Sequence, residues 1–298
     1  MQKDRQQLRL NELRGLTIVA VVLIHVSATY LFATHNRTTF AVLLTINQWA
    51  RFCVPLFFMM TGMVLYSNYG EGKINYLAFV NKRLRYIVIP YLLWAIIYGY
   101  IRHLGLDGGG IQTIKDWVID VASGRISYHL YFIAVMVQLY VIFPLLRPLL
   151  RPPYAFITLL FSLFIYIGQT ISLWMQVRGD IIWPTWYRFI LDNNNIVSWW
   201  LFYFILGTRL SQSWPTWELL KERSLSSGKH NTNGRKFLKE SPMNSIFFFL
   251  LLIILSGILY WMVNATYQAY NNWPEGFSAT ANFFRLSVLI YDSGAETP

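Results

Sequence analysis

The chain carries a series of apolar runs of about 20 residues, each long enough to cross a lipid bilayer as a helix. The runs lie near 13–33, 46–67, 86–103, 128–147, 154–174, 197–210 and 244–263. Inside hydrocarbon a backbone must satisfy its own hydrogen bonds, and a run of this length does so as an α-helix. The sequence therefore predicts an all-α polytopic transmembrane helix bundle with about seven complete spans.

Composition agrees with a membrane protein, because 55% of the side chains are hydrophobic and only 13% are charged, whereas soluble domains carry about 25% charged residues. The first run lacks the small-residue cleavage pattern of a signal peptide, so we interpret it as a retained span. The segment near 211–243 is rich in Ser, Gly, Asn and charge, which is typical of a mobile linker. We expect one membrane domain over residues 1–298, with that linker on its cytoplasmic side.

The net charge of +11 is distributed as membrane topology predicts. If the N-terminus is cytoplasmic, about two thirds of the 25 lysines and arginines fall in cytoplasmic segments, as the positive-inside rule requires. No basic module with stacked aromatics occurs, which argues against nucleic acid and favours membrane lipid as the partner of these charges. The five histidines show no metal-ligand spacing, so no metal is expected.

Two ionisable residues, Arg14 and His25, interrupt the first apolar run. Such residues are costly inside a membrane and mark functional sites by default. Their separation of 11 residues is about 20° past three full helical turns and about 16 Å along the axis. We therefore expect both side chains to line one cavity, with Arg14 at its cytoplasmic rim. Two alternatives stay open: an orientation anchor at Arg14 and a packing histidine at position 25.

Five blocks along the chain carry a family resemblance. They read "ELRG" (12–15), "VPLFFMMTG" (54–62), "NKRLRYIVIPYLLW" (81–94), "HLYFIAVMVQLYVIFPLL" (129–146) and "NNNIVSWWLFYFILGTRLS" (193–211). In this order the chain resembles the acyltransferase-3 family of integral membrane O-acyltransferases, in its exopolysaccharide-modifying branch. Thr61 stands where the family usually has serine, and Tyr131 where it has tryptophan. Members have about ten spans, so the resemblance also implies a truncated C-terminus.

The resemblance implies transfer of an acetyl or succinyl group from acyl-coenzyme A to a hydroxyl of an exopolysaccharide or lipid-linked glycan. The reaction would take place in the bacterial cytoplasmic membrane, beside glycan-synthesis machinery. His25 would be the general base or a transient acyl carrier, with Arg14 as its catalytic partner. Three basic residues at the cytoplasmic start of the third span would hold the coenzyme A phosphates. They are Lys82, Arg83 and Arg85.

Four further residues are candidates for the same site. Thr61 keeps the hydroxyl of the second-span block, and His129 has an acceptor-side or a structural role at the outer surface. Arg51 lines the cavity or extends its charge to the outer membrane interface. Glu12 pairs with Arg14 or Arg9, or favours a helix start.

A polysaccharide exporter or flippase without acyl chemistry is the alternative function. It would bind a passing sugar chain on the same polar face and would need a continuous hydrophilic path. A non-catalytic scaffold is a third reading.

Overall fold

The computed structural model describes residues 2–34, 36–104, 113–127, 129–177 and 181–226. Every regular element within these ranges is helical, and no strand occurs among them, which confirms the all-α prediction for this part of the chain. The helices are α1 (Gln2–Ala33), α2 (Arg37–Ala50), α3 (Cys53–Tyr69), α4 (Tyr76–Arg83), α5 (Ile89–His103), α6 (Ile114–Ser123), α7 (Tyr131–Leu146), α8 (Ala155–Val177), α9 (Thr185–Asp192) and α10 (Leu201–Ser226). A π-helical turn, Leu84–Val88, joins α4 to α5.

Among the described residues, four helical stretches are long and apolar enough to cross a membrane. They are Leu10–Leu31, Thr38–Tyr69, Tyr76–His103 and Ala155–Leu173, and α7 is a shorter apolar helix. The chain is therefore a multi-pass membrane protein, while the prediction of about seven spans is only partly recovered. The last predicted run, 244–263, and the C-terminus expected to be truncated lie outside the described residues.

The second predicted run, 46–67, is not one uninterrupted helix. Helix α2 ends at Ala50 and α3 begins at Cys53, with a turn between them. Pro55 lies in the first turn of α3, where a residue without a backbone N–H is tolerated because that N–H would have no helical partner. A helix continuing through this point would lose a hydrogen bond, so the break follows from the proline.

Helix α10 continues to Ser226, so it includes the first part of the predicted linker at 211–243, which as a mobile linker stays a prediction. The sequence "WELLKERSL" explains the extension, since Leu, Glu, Lys and Arg are strong helix formers. The rest of the expected linker lies outside the described residues.

The described chain forms two compact units. One holds the residues up to Phe57 and those from Leu210, and the other holds Phe58–Arg209. The interpretation of residues 1–298 as one membrane domain stays a prediction.

In the first unit, α1 packs against α2 along small side chains. Ala20, Ala50 and Cys53 form a buried cluster, and Val21, Ile24 and Val54 pack around it. A second cluster at the other end of the pair joins Phe40 and Leu44 to Leu31. Small residues allow two helix backbones to approach closely, which is the usual basis of helix association in membranes.

In the second unit, α3 and α10 meet at two glycines. A Cβ at Gly62 would overlap the carbonyl oxygen of Phe204, and a Cβ at Gly207 would overlap that of Met59. Gly62 and Gly207 lie in two of the blocks that carry the family resemblance. At least part of their role is therefore close helix packing.

Helices α5 and α6 pack through aromatic side chains that also donate hydrogen bonds. The Tyr91 hydroxyl donates to the carbonyl of Val121. The indole N–H of Trp117 donates to the carbonyl of Ala95 at 3.3 Å and lies where a side chain at Gly99 would be. The π-helical turn ends at Val88, two residues before Pro90, whose missing N–H breaks the regular hydrogen-bond ladder.

Candidate functional site

Arg14 and His25 lie on one continuous helix, α1. The helical geometry that places them on one face, about 16 Å apart along the axis, therefore applies to them. Both are half-buried, and they flank the buried face that Thr17, Ala20 and Ser27 define. The shared face is confirmed, whereas the cavity that they were expected to line stays a prediction.

The guanidinium of Arg14 is held locally. Its Nη1 donates to Asn11 Oδ1 at 3.0 Å, and no acidic side chain neutralises it within the described part of the helix. Glu12 is two residues away, about 200° around the helix, so it points to a different side. Helix α1 begins at Gln2, which makes the interpretation of Glu12 as a helix-start residue wrong.

The helical turn that carries His25 is fixed to α2 by Asn47. The amide Nδ2 of Asn47 donates to the carbonyl of Ile24 and to Ser27 Oγ, both at 2.9 Å. Asn47 is 1% exposed and Ser27 is 3% exposed, so water competes little for these bonds. The Ser27 hydroxyl in turn donates to the carbonyl of Leu23 at 2.6 Å. The backbone on both sides of His25 is thus held by buried hydrogen bonds.

Arg51 completes this polar chain. Its Nε and Nη2 donate to Asn47 Oδ1 at 3.2 and 3.1 Å. The guanidinium orients the Asn47 amide, since Oδ1 accepts from Arg51 while Nδ2 faces α1. Arg51 was predicted from the sequence, whereas Asn47 and Ser27 were not. The sequence does contain a signal for Asn47, because this carboxamide lies in an apolar run one helical turn before the charged Arg51.

The basic segment expected to hold coenzyme A phosphates divides into two parts. Arg83 lies among three aromatic rings, with its guanidinium carbon 4.2 Å from the ring centre of Phe79, 5.0 Å from that of Tyr69 and 5.2 Å from that of Tyr140. It also donates to the Tyr69 hydroxyl at 3.3 Å. Lys82 and Arg85 are exposed. The three cations therefore do not form one uniform surface.

Two arginines after α7 approach the end of α3. Arg147 donates from Nε to the carbonyl of Gly70 at 3.2 Å and from Nη2 to the carbonyl of Gly72. Arg151 donates from Nε to the same Gly70 carbonyl at 3.0 Å. Their positions in the sequence predict only a role as cytoplasmic orientation charges. Together with Arg83, which donates to neighbouring Tyr69, they form what we call the arginine cluster.

His129 and Thr61 also lie in the second unit. His129 Nδ1 is 3.2 Å from Ser127 Oγ, and its ring meets that of Tyr98 edge to face at 5.2 Å between ring centres. Thr61 Oγ1 is 3.5 Å from the sulfur of Met136, a weak contact. These surroundings fit a structural role for both residues, and the acceptor-side role of His129 stays a prediction.

A polar stripe on α8 supports the irregular segment before α10. Gln169 donates to Ser198 Oγ at 2.8 Å, and Gln176 donates to Asp192 Oδ1 at 2.7 Å. Such bonds allow non-helical backbone at membrane depth. The sixth predicted run, 197–210, accordingly becomes helical only at Leu201, after a short 3-10 turn at Val197–Trp199.

Comparison with known proteins supports the family that the sequence blocks indicate. A family model described as an acyltransferase domain matches residues 8–293. A Staphylococcus aureus (strain MSSA476) protein named "Probable poly-beta-1,6-N-acetyl-D-glucosamine export protein" is 28% identical over 168 residues, which are 55% of this chain and 44% of that protein. A Staphylococcus epidermidis protein of the same name is 24% identical over 278 residues, which are 90% of this chain and 71% of that protein.

No solved structure matches the chain. The matched region spans less than half the length of the Staphylococcus aureus relatives. The family model, in contrast, extends over nearly the whole sequence and includes all five blocks noted above. The chain belongs to the acyltransferase-3 family of membrane proteins.

Proposed function

We propose that this chain is a membrane-bound O-acyltransferase of the bacterial cytoplasmic membrane, with its N-terminus in the cytoplasm. It moves an acetyl or succinyl group from acyl-coenzyme A to a hydroxyl of an exopolysaccharide or lipid-linked glycan. The main structural support is the polar flank of α1. Half-buried His25 and Arg14 share that flank, and buried bonds from Asn47 hold the turn that carries the histidine.

In the proposed reaction, the neutral imidazole of His25 takes the proton of the acceptor hydroxyl as its oxygen attacks the thioester carbonyl. The new carbon–oxygen bond forms, the carbon–sulfur bond breaks, and the proton passes to the departing thiolate. General-base catalysis of this kind contributes about 10²–10⁴-fold. In the alternative mechanism a ring nitrogen of His25 attacks the thioester carbonyl and the coenzyme A thiolate leaves. The glycan hydroxyl oxygen then attacks the acyl-imidazole, the nitrogen–carbon bond breaks, and the hydroxyl proton passes to the released imidazole.

Arg14 supplies a positive charge on the cytoplasmic side of His25. Since the two residues are about 16 Å apart along α1, Arg14 would contact a distant part of the donor rather than the reacting carbonyl. The phosphates of coenzyme A are suitable anions, and the pantetheine arm would extend from them toward His25. Lys82, Arg83 and Arg85, which belong to the second unit, are proposed on their own account as contacts for phosphates of the donor.

For the acceptor, the relatives' names point to a β-1,6-linked N-acetylglucosamine polymer. We propose a glycan of this class as the substrate, with one of its hydroxyls as the acyl acceptor. The same names favour the second candidate, a polysaccharide exporter without acyl chemistry. An exporter would bind the polymer on the same polar flank but would need neither a thioester nor a proton acceptor.

Reconstitution into liposomes separates these two functions. The assay supplies radiolabelled acetyl- or succinyl-coenzyme A on one side, a lipid-linked glycan, and measurements of both label transfer and glycan movement. Transfer by the wild type and by His103→Ala, but not by His25→Ala, supports the transferase. His103 is a suitable control because it is an exposed histidine at the end of α5. Glycan movement without label transfer would instead support the exporter.

A further inference from the structure

Three guanidinium groups donate hydrogen bonds to three residues at the end of α3, within positions 69–72. Arg83 donates to the hydroxyl of Tyr69, and Arg147 and Arg151 both donate to the carbonyl of Gly70. Arg147 also donates to the carbonyl of Gly72. The three arginines come from two separate parts of the chain, the end of α4 and the turn after α7, and all are half-buried. The fold therefore brings the guanidiniums of Arg147 and Arg151 to one carbonyl, and it places that of Arg83 against the side chain of the preceding residue.

Within the described residues, these arginines bond only to neutral oxygens. The ion pairs described in the second unit lie elsewhere, where Arg102 and Arg125 share Asp120. Glu71, between the two glycines, is exposed and forms no ion pair with the cluster in the described part of the chain. Like charges held close together repel each other, more strongly where water is partly excluded. An anion bound among them would offset that repulsion.

Capping the end of α3 does not account for the whole arrangement. Arginine side chains often donate to the last carbonyls of a helix, and one would satisfy Gly70. Here two arginines converge on that single carbonyl. Arg151 uses only its Nε, and its two Nη groups make no hydrogen bond within the described residues. A guanidinium has five N–H donors, so donors remain for a ligand.

The geometry is also preorganised. Three aromatic rings surround the Arg83 guanidinium, and backbone carbonyls fix Arg147 and Arg151. Fixed planar guanidiniums suit the paired oxygens of phosphate groups, and less side-chain freedom is lost on binding. The ends of α3 and α7 lie on the predicted cytoplasmic side, where phosphorylated metabolites are found.

We propose that the arginine cluster binds a phosphate-ester anion, and that in this chain the anion is supplied by the acyl-coenzyme A donor. The inference rests on the proposed function for the identity of the donor, and it adds Arg147 and Arg151 to the donor site. An anionic lipid headgroup has the same phosphate-ester chemistry, so the experiment has one arm for each source.

The test measures equilibrium binding of acetyl-coenzyme A to the full chain in nanodiscs of phosphatidylcholine. Arg147→Gln and Arg151→Gln are each expected to weaken binding by about tenfold, and Arg151→Lys by less because it keeps the charge. The difference in affinity between the wild type and these variants is expected to be smaller for dephospho-coenzyme A, which has one phosphate fewer. Arg188→Gln is the matched control, since Arg188 is exposed on α9, and its affinity should equal that of the wild type.

The second arm uses vesicles of phosphatidylglycerol without coenzyme A and measures lipid retained by the protein. If the arginine variants lose only coenzyme A binding, the donor is supported as the source of the anion. If they lose only lipid retention, the assignment of the anion to the donor is overturned. Unchanged binding in both arms, by variants whose melting temperatures match the wild type, would show that the cluster only caps α3. Coenzyme A binding that needs the cluster, without acyl transfer, would leave this site standing and refute the transferase.

Discussion

Asn47 on α2 donates a 2.9 Å hydrogen bond to the backbone carbonyl of Ile24, the residue immediately before His25 on α1. A backbone carbonyl inside a helix is normally used within that helix, so this second bond ties α1 to α2 at one defined turn. Arg51, which the sequence predicts as a site residue, donates to the same Asn47 side chain. Arg51 therefore acts on the turn of His25 only through Asn47. Asn47 is thus a positioning residue in the proposed mechanism.

Replacing Asn47 by leucine tests this role. The change keeps the branched arrangement of side-chain atoms but removes the bonds to Ile24, Ser27 and Arg51, so we expect a slower acyl transfer rate with little change in the KM for the donor. Losing a buried hydrogen-bond partner should also reduce stability by about 1–3 kcal/mol. Kinetics and thermal unfolding are measured together, because a stability loss alone would lower the amount of active protein and not the rate per folded molecule.

Thr45→Val is the matched control for that variant. Thr45 is on the same helix and its hydroxyl bonds only to the carbonyl of Ala41 among the described residues, at 2.8 Å. Its removal should leave both kinetic constants unchanged. Equal kinetic effects of Asn47→Leu and Thr45→Val would refute the positioning role.

Gly62→Ala should destabilise the protein. The added Cβ overlaps the carbonyl oxygen of Phe204, which is backbone and cannot rotate away, and overpacking of this kind costs about 1–3 kcal/mol. Gly168→Ala on α8 is the control, since a Cβ there meets nothing within 4 Å. That variant should gain up to about 1 kcal/mol from helix propensity. Thermal unfolding in one detergent measures both, and equal shifts would contradict the close contact of α3 and α10.

Arg83→Lys should lower stability although it keeps the charge. The planar guanidinium contacts three rings, and loss of such cation–π contacts costs about 1–2 kcal/mol. Arg85→Gln removes an exposed charge two residues further along and should leave the melting temperature within error. A melting temperature of Arg83→Lys equal to that of the wild type would show that the rings do not stabilise Arg83.

The predicted orientation is open to a labelling test, because Cys53, the only cysteine, is fully buried. A membrane-impermeant maleimide should therefore give a low background. Glu71→Cys should react only in inside-out vesicles, and Asp116→Cys only in intact spheroplasts, since both positions are exposed on opposite predicted sides. The reverse pattern would place the N-terminus outside.

The sequence predicts features that depend on local periodicity. The apolar runs predict the helices, and the spacing of Arg14 and His25 predicts their shared face, because a helix repeats every 3.6 residues. The family was also recognisable, since its blocks are contiguous in sequence. These predictions need no knowledge of which helix packs against which.

Other features depend on distant residues and were missed. Arg147 looks like an orientation charge until its contact with Gly70, 77 positions away, is known. The rings around Arg83 come from α3, α4 and α7, so no local pattern reveals them. Asn47 was missed because, although Arg51 lies one helical turn further along, its partners Ile24 and Ser27 are on a different helix. The early helix break before Cys53, in contrast, was marked by Pro55.

The most direct test of the central claim is the rate at which label moves from radiolabelled acetyl- or succinyl-coenzyme A to glycan in liposomes, measured for the wild type and for His25→Ala. We expect the wild type to transfer label and the variant to be slower by about 10²–10⁴-fold, the contribution of a general base. Equal transfer rates for the two proteins at equal amounts of folded protein would contradict the assignment of His25 and with it this account of the site.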